Sequence, residues 1–77
     1  MLKKIKNQQV FQIVDGTCAI TLPQGTYTLY ISADGVNYTQ KGEAIEGGDT
    51  LIMANAPIDL YCYLDGIEQG TELTVLL

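Results

Sequence analysis

Alternation between apolar and polar side chains is the strongest pattern in the chain, and it is clearest from Thr26 to Ser32. Beginning with Tyr27, every second side chain in this segment is tyrosine, leucine or isoleucine. A period of two in aromatic and β-branched residues predicts a half-buried strand. Because the following Asp34-Gly35 pair favours the positive φ angles of a tight turn, we expect residues 36–39 to run back beside this strand.

Two further alternating segments, residues 9–14 and 17–22, flank a second Asp-Gly pair at positions 15 and 16. A two-residue turn there predicts a hairpin in which Phe11 faces Ile20 and Ile13 faces Cys18. The side chains expected in the core are Phe11, Ile13, Cys18, Ile20 and Leu22. Those expected on the opposite face are Val10, Val14, Ala19 and Thr21.

The second half of the chain is also predicted to form short strands. Residues 44–45 can form an edge strand, and the apolar run at residues 50–54 is expected to be covered on both faces or to lie at an interface. Residues 58–64 and 71–77 alternate. The inward side chains of the first of these segments are Ile58, Leu60, Cys62 and Leu64, and the outward ones are Asp59, Tyr61 and Tyr63. Six or seven short strands with frequent turn signals predict an all-β fold, a single-domain antiparallel β-sandwich or barrel over residues 9–77.

Charge separates the first residues from the rest. Residues 1–6 hold three of the four lysines and no acid, so we interpret residues 1–8 as a basic N-terminal arm. The other 71 residues hold one lysine and nine acids, a net charge of −8. A body of that sign repels phosphate backbones, which disfavours nucleic acid as a partner. In a chain of 77 residues with 47% hydrophobic content, some apolar surface must stay exposed, so self-association is expected.

Targeting signals and cysteine usage favour a protein made in a cytoplasm. Asn7-Gln8-Gln9 follows the basic start where a signal peptide would need apolar residues, and no run is long enough for a membrane span. A disulfide between Cys18 and Cys62 would stabilise the fold by about 3–4 kcal/mol in the chain-entropy model. A reducing compartment favours two buried free thiols instead.

The residue inventory offers little for catalysis or for metal binding. The chain has no histidine and no arginine, so no nucleophile can be paired with a neutral-pH base, and we expect neither an enzyme nor a cofactor. Asp34, Asn37 and Asp49 could supply oxygen ligands to calcium, but their spacing matches no calcium loop and a turn role for Asp34 is favoured. Asn37 also begins a glycosylation sequon, which we discount in a cytoplasmic chain.

Tyrosines collect on the outer face of the predicted sheet. Tyr30, Tyr61 and Tyr63 all point outward, and Tyr38 lies just beyond the turn. If their strands pair, the rings form a patch. Exposed tyrosines suit a binding surface because they offer area at little rotamer entropy, and cross-strand packing on a solvated sheet explains them equally well.

Two resemblances involve these residues. The segment from Ser32 to Thr39, S-A-D-G-V-N-Y-T, resembles the S-x-D-G-x-x-W-T hairpin of discoidin-like and other carbohydrate-binding β-sandwiches, with tyrosine in place of tryptophan. Residues 30–39 together with 46–64 resemble small structural proteins of tailed bacteriophages. Those proteins couple such a hairpin to an acidic turn, an apolar strand and a tyrosine-rich strand.

The phage resemblance implies a non-enzymatic virion protein, a capsid decoration or auxiliary head protein that binds the capsid protein, copies of itself, or both. A carbohydrate-binding module that holds a glycan on the tyrosine face is the alternative. An assembly factor that donates a strand edge is a third class. The residues we expect to take part in interactions are Leu2, Lys3, Lys4, Ile5, Lys6, Tyr30, Tyr38, Tyr61, Tyr63, Leu73 and Val75.

Overall fold

The computed structural model describes residues 1–57 and 59–77; Ile58, which was expected to face the core, lies outside the described residues. The described chain is all-β, as predicted, with nine short strands where six or seven were expected. No helix that could cross a membrane is found in this part of the chain. The strands are β1 (Leu2–Ile5), β2 (Phe11–Gln12), β3 (Cys18–Thr21), β4 (Thr26–Ser32), β5 (Thr39–Gln40), β6 (Ile45–Glu46), β7 (Thr50–Met53), β8 (Tyr61–Asp65) and β9 (Leu73–Leu76).

The strands form two antiparallel sheets that enclose one core. Sheet A has the order β1-β9-β3-β7, and sheet B has the order β2-β8-β4-β5, with β6 also paired to β4. Except for Ile31, which is half-buried, the described inward positions predicted from alternation are buried, and Val10 and Val14 are exposed as expected. The predicted core side chains that the structure buries are Phe11, Ile13, Cys18, Ile20, Leu22, Tyr27, Leu29, Leu60, Cys62 and Leu64.

The predicted hairpin across Asp15-Gly16 is wrong. Phe11 in β2 pairs with Cys62 in sheet B, while Ile20 in β3 lies between Leu51 and Val75 in sheet A. Gly16 has the positive φ that the turn signal implied, 79°, and its carbonyl accepts a hydrogen bond from Ala56 N at 2.8 Å. The segment therefore crosses from one sheet to the other. The side chains predicted to face inward still face the core in both strands, because the two sheets cover the core from opposite sides.

The first eight residues, expected to be a basic arm, belong to the sandwich. Residues 2–5 form β1 beside β9, and Ile5 is fully buried. The side-chain oxygen of Asn7 accepts hydrogen bonds from Gly66 N at 2.8 Å and Ile67 N at 3.0 Å. The basic segment is thus an edge strand with a fixed position, followed by a bend that is bonded to the β8–β9 connection.

Strand β4 is the centre of sheet B. It pairs with β8, β5 and β6. The return after Asp34-Gly35 is wider than the tight turn expected, because pairing resumes only where Thr39 lies opposite Ile31. On the far side of the core, β7 is an edge strand of sheet A. Met53 faces the core whereas Ile52 is 67% exposed, so the run at residues 50–54 is not covered on both faces within the described chain.

Candidate functional site

Four tyrosines form one cluster on the outer face of sheet B, and we call it the tyrosine cluster: Tyr30, Tyr38, Tyr61 and Tyr63. The antiparallel pairing of β4 with β8 places Tyr30 opposite Tyr63 and Ser32 opposite Tyr61. The rings of Tyr30 and Tyr63 stack with centroids 4.7 Å apart and planes 12° apart. Tyr38 packs edge-on against Tyr63 at 5.1 Å and 60°. All four side chains are half-buried, so the cluster combines internal packing with an exposed outer surface.

The loop over residues 33–38 fixes the position of Tyr38 and covers part of Tyr61. Gly35 lies so close to Tyr61 that a Cβ added to it would be 3.4 Å from the ring. Gly35 also has a φ of 77°, which glycine adopts without strain. Glycine at this position therefore satisfies both the turn and the close approach to the aromatic ring.

The carboxylate of Asp34 organises this loop. It accepts hydrogen bonds from the Ser32 hydroxyl at 2.8 Å, from Val36 N at 2.8 Å, and from Asn37 N and Nδ2 at 2.9 and 3.0 Å. The Ser32 hydroxyl in turn accepts a bond from Gly35 N at 2.9 Å. Hydrogen bonds from the two backbone amides, with those from the Ser32 and Asn37 side chains, hold the pKa of Asp34 well below its usual range.

These bonds support the turn role of Asp34 rather than a calcium site. Both carboxylate oxygens are engaged by donors from the loop itself, and the Asn37 side chain is one of those donors. Asp49 lies immediately before β7 and makes none of these contacts. Within residues 1–57 and 59–77, no group of three or more potential metal ligands comes together.

Stacking within the tyrosine cluster occupies part of the ring surface. Carbohydrate platforms need a free aromatic face, and the stacked pair uses one face each of Tyr30 and Tyr63 for the other ring. Tyr63 also contacts the edge of Tyr38, so it is enclosed by two neighbours. Desolvation raises the pKa of the Tyr38 hydroxyl, with a smaller contribution from Tyr61 and Asp34. The half-buried rings give the cluster an accessible outer rim.

An open apolar groove of about 620 Å³ lies between β7 of sheet A and the β4–β6 side of sheet B. Leu29 and Met53 form buried parts of its lining, Ile45 and Leu51 are half-buried, and Glu43 lines it as well. The sequence pattern indicated the unusual apolar run of β7 but not the groove. The groove exists because β7 ends sheet A without a further strand to close the sandwich.

A row of apolar side chains crosses the outer face of sheet A. Leu2 pairs with Leu76, Leu76 with Ala19, and Ala19 with Ile52, so the row passes over all four strands. Leu2 is 68% exposed, Leu76 51% and Ile52 67%. Ile52 and Leu76 lie in the two apolar segments, residues 51–53 and 73–77, that we expect in or beside protein contacts. Their alignment in one row with Leu2 depends on a strand order that the sequence does not reveal.

The remaining predicted interaction residues divide into exposed and buried ones. Leu2, Lys3, Lys4 and Lys6 are exposed along β1 and just after it. Ile5, Leu73 and Val75 are buried in the core, at 0%, 3% and 0% exposure, because their side chains point from β1 and β9 to the inner side of sheet A. A partner therefore cannot touch these three side chains in the folded chain.

Both cysteines are buried free thiols, which is one of the two alternatives left open by their spacing. Burial raises the pKa of Cys18, and it raises that of Cys62 to about 12, with the nearby Cys18 thiol contributing. The two thiols thus act as small apolar side chains from opposite sheets.

Comparison with family models, with curated proteins and with solved structures finds no match to this chain.

Proposed function

We propose that this protein is a non-enzymatic structural protein of a tailed-phage virion, a capsid decoration or auxiliary head protein that binds the shell through its tyrosine cluster. The observation that carries the proposal is the preformed aromatic surface of sheet B, in which three rings pack on one another beside a loop held by Asp34. The pattern resemblance to phage structural proteins covers the same strands.

Tyrosines on a rigid support are well suited to bind a protein. Their rings bring large area with only two rotatable bonds, and tyrosine is enriched among the residues that dominate binding energy. In this chain the rings are already packed, so little side-chain entropy is lost when a partner covers them. A capsid surface with complementary shape would bury the rim of the cluster and exclude water from its hydroxyl groups.

The work of such a protein is mechanical. A decoration protein placed over a junction between shell subunits adds buried contact area on both sides of the junction, and this area must be lost before the subunits separate. A small sandwich with a packed core transmits force without deforming, since protein interiors have low compressibility. No reaction is required of the bound protein.

Binding to capsids tests the proposal. Heads assembled from the major capsid protein of the genome that encodes this chain would be mixed with purified protein and sedimented. We expect the wild type to co-sediment with heads and Tyr61→Ala and Tyr63→Ala to bind at least tenfold more weakly, the loss expected for residues that anchor an interface. Val14→Ala, an exposed apolar residue outside the cluster, is the matched control. A wild type that stays in the supernatant at every concentration would refute the proposal.

The alternative of a carbohydrate-binding module rests on the same cluster, because one face of Tyr30 is not used by the stacked pair. A broad glycan panel separates the two. We expect no retention of the wild type on any glycan. Retention that is lost in Tyr30→Ala and kept in Val14→Ala would favour the carbohydrate function instead.

A further inference from the structure

Sheet A has two free edges that run in opposite directions. All of its pairings are antiparallel and its order is β1-β9-β3-β7, so β1 and β7 are antiparallel to each other. Among the described residues, each of these two strands has a single strand neighbour. A second copy that is shifted along the sheet, with the same face outward, therefore brings its β1 beside β7 in the antiparallel orientation.

The backbone groups at the two edges are complementary. Leu22 N donates to Asp49 O at 2.9 Å, so Asp49 bonds toward β3. In an antiparallel ladder the residues of a strand bond alternately to one side and to the other. Leu51 and Met53 therefore bond to β3, and the N–H and C=O groups of Thr50 and Ile52 point away from the sheet. Leu77 N donates to Met1 O at 2.7 Å, and the same alternation directs the groups of Leu2 and Lys4 outward from β1.

We propose that copies of this chain join edge to edge, with β1 of one copy added to β7 of the next so that Leu2 lies opposite Ile52 and Lys4 opposite Thr50. The joint would be made by the N–H and C=O groups of these four residues, in the way that an added strand extends a sheet. This inference goes beyond the proposed function and does not involve the tyrosine cluster, which lies on sheet B.

Apolar contact supports the same register. Leu2 and Ile52 are the two ends of the apolar row on sheet A, and they are the most exposed members of that row. In the joint they become a cross-strand pair, so the row of one copy continues into the row of the next. Such pairs of apolar side chains stabilise neighbouring strands, and both side chains lose contact with water.

Charge indicates that the occupant of the β7 edge is a second copy. Residues 1–6 carry three lysines and no acid, whereas residues 41–50, which lead into β7, carry Glu43, Glu46 and Asp49 against Lys41 alone. Lys3 pairs with Val75 and so lies on the inner side of β1, and in the joint it would face Leu51 at the groove that Glu43 lines. The basic edge of one copy thus meets the acidic, apolar edge of its neighbour.

The joint uses two different surfaces, so a copy that has gained a neighbour at β7 still offers a free β1. Interfaces of this kind produce rings when the rotation closes and open filaments when it does not. Because neighbouring strands in a sheet are rotated relative to one another, successive copies would turn about the axis of growth. In either form, assembly depends on protein concentration and is weakened by salt.

Proline variants test the joint, with sedimentation velocity over a wide concentration range at low salt as the measurement. Lys4→Pro and Ile52→Pro each remove one outward N–H without breaking a bond within sheet A. Gln40→Pro is the matched control: Lys41 N donates to Leu29 O at 2.8 Å, so the N–H of Gln40 also points away from its sheet, but at the edge of sheet B. Thermal unfolding of each variant reports whether the fold survives.

We expect the wild type and Gln40→Pro to form oligomers whose size rises with protein concentration. Lys4→Pro alone and Ile52→Pro alone should stay monomeric. An equimolar mixture of Lys4→Pro and Ile52→Pro should form a dimer and stop there, because each variant keeps the edge that the other lacks. Two identical, self-complementary surfaces would not produce this result. A wild type that stays monomeric throughout, or a mixture that does not form the dimer although both variants fold, would overturn the proposal.

Charge reversal gives a second test that leaves the backbone unchanged. Lys3→Glu and Glu43→Lys alter exposed side chains that face the joint from opposite sides. Each alone should weaken association about fivefold to tenfold, since an exposed pair contributes up to roughly 1 kcal/mol and reversal replaces attraction with repulsion. The double variant should recover most of the loss. If the double variant is weaker than both single variants, the lysine edge and the acidic edge do not meet.

Discussion

Tyr30 and Tyr63 stack face to face across the β4–β8 pair, with ring centroids 4.7 Å apart. They come from strands that are separated in sequence by three other strands, and Tyr38 reaches the same place from the loop after β4. The cluster therefore joins three segments of sheet B on its outer side. Its rings stabilise the sheet whether or not a partner covers them.

We expect Tyr30 and Tyr63 to be energetically coupled. Tyr63→Ala should lower the free energy of unfolding by about 1–2 kcal/mol, through lost apolar burial and lost ring contacts. Urea unfolding of both single variants and of the double variant gives the coupling energy, for which we expect about 0.5–1.5 kcal/mol. Strictly additive effects would show that the rings are neighbours without mutual stabilisation.

Asp34 should stabilise the fold at neutral pH and lose this effect in acid. Its pKa is lower in the folded chain than in the unfolded chain, so the stabilisation is present above the ordinary aspartate value of about 3.9 and is lost as the pH falls through the folded pKa. Asp34→Asn should lower the thermal midpoint at pH 7 and flatten the decline below pH 4. Asp15→Asn, which also removes one exposed carboxylate, is the control; an equal effect there would contradict the role of the Asp34 hydrogen bonds.

The buried thiols predict the opposite dependence at alkaline pH. Burial raises the pKa of Cys62 from its ordinary value of about 9 to about 12, so the unfolded chain loses this proton first and stability falls as the pH rises between these values. Replacement by alanine should make the fall shallower in chemical unfolding series from pH 8 to 11. Identical slopes for the wild type and Cys62→Ala would show that the thiol does not titrate differently on unfolding.

Gly47 cannot accept a side chain. A Cβ at this position would overlap the carbonyl oxygen of Pro23, and backbone atoms cannot move aside as a flexible side chain would. Gly47 N also donates to Gly25 O at 2.7 Å, which fixes the segment in place. We expect Gly47→Ala to cost at least about 2–3 kcal/mol in thermal or urea unfolding, as overpacked sites do.

Gly42→Ala is the control for that variant. Gly42 has a φ of 73°, but a Cβ there would have no neighbour within 4 Å among the described residues. It should therefore cost only the backbone strain, about 1 kcal/mol. Equal losses for Gly42→Ala and Gly47→Ala would indicate that the close approach to Pro23 is relieved by a small shift of the chain.

Which side chains are buried could be predicted from the sequence, because this depends on the alternation of side chains within each strand. Within a strand, successive side chains point to opposite sides, so the positions of Phe11 and Ile13 in the core follow from the pattern alone. The pairing partner of each strand could not be predicted in the same way. The Asp15-Gly16 and Asp34-Gly35 pairs have the same turn chemistry, yet the first crosses between sheets and only the second returns to its own sheet.

The tyrosine cluster and the apolar row on sheet A also differ in how far the sequence predicts them. The outward direction of Tyr30 and Tyr63 follows from alternation, and their contact required only that β4 and β8 be neighbours. The apolar row from Leu2 to Ile52 requires the complete order of sheet A, which includes strands from both ends of the chain. No local pattern contains that order, because long-range pairing is decided by the packing of the whole core.

The position of β9 between β1 and β3 also determines when the protein can fold during its synthesis. Strand β1 is the first to be made, but it reaches the rest of sheet A only through residues 73–76. Sheet B contains no residue after β8, but its inner face packs on sheet A, which is incomplete without β9. Ile5 of β1 therefore stays without its partner strand until residues 73–76 have left the ribosome.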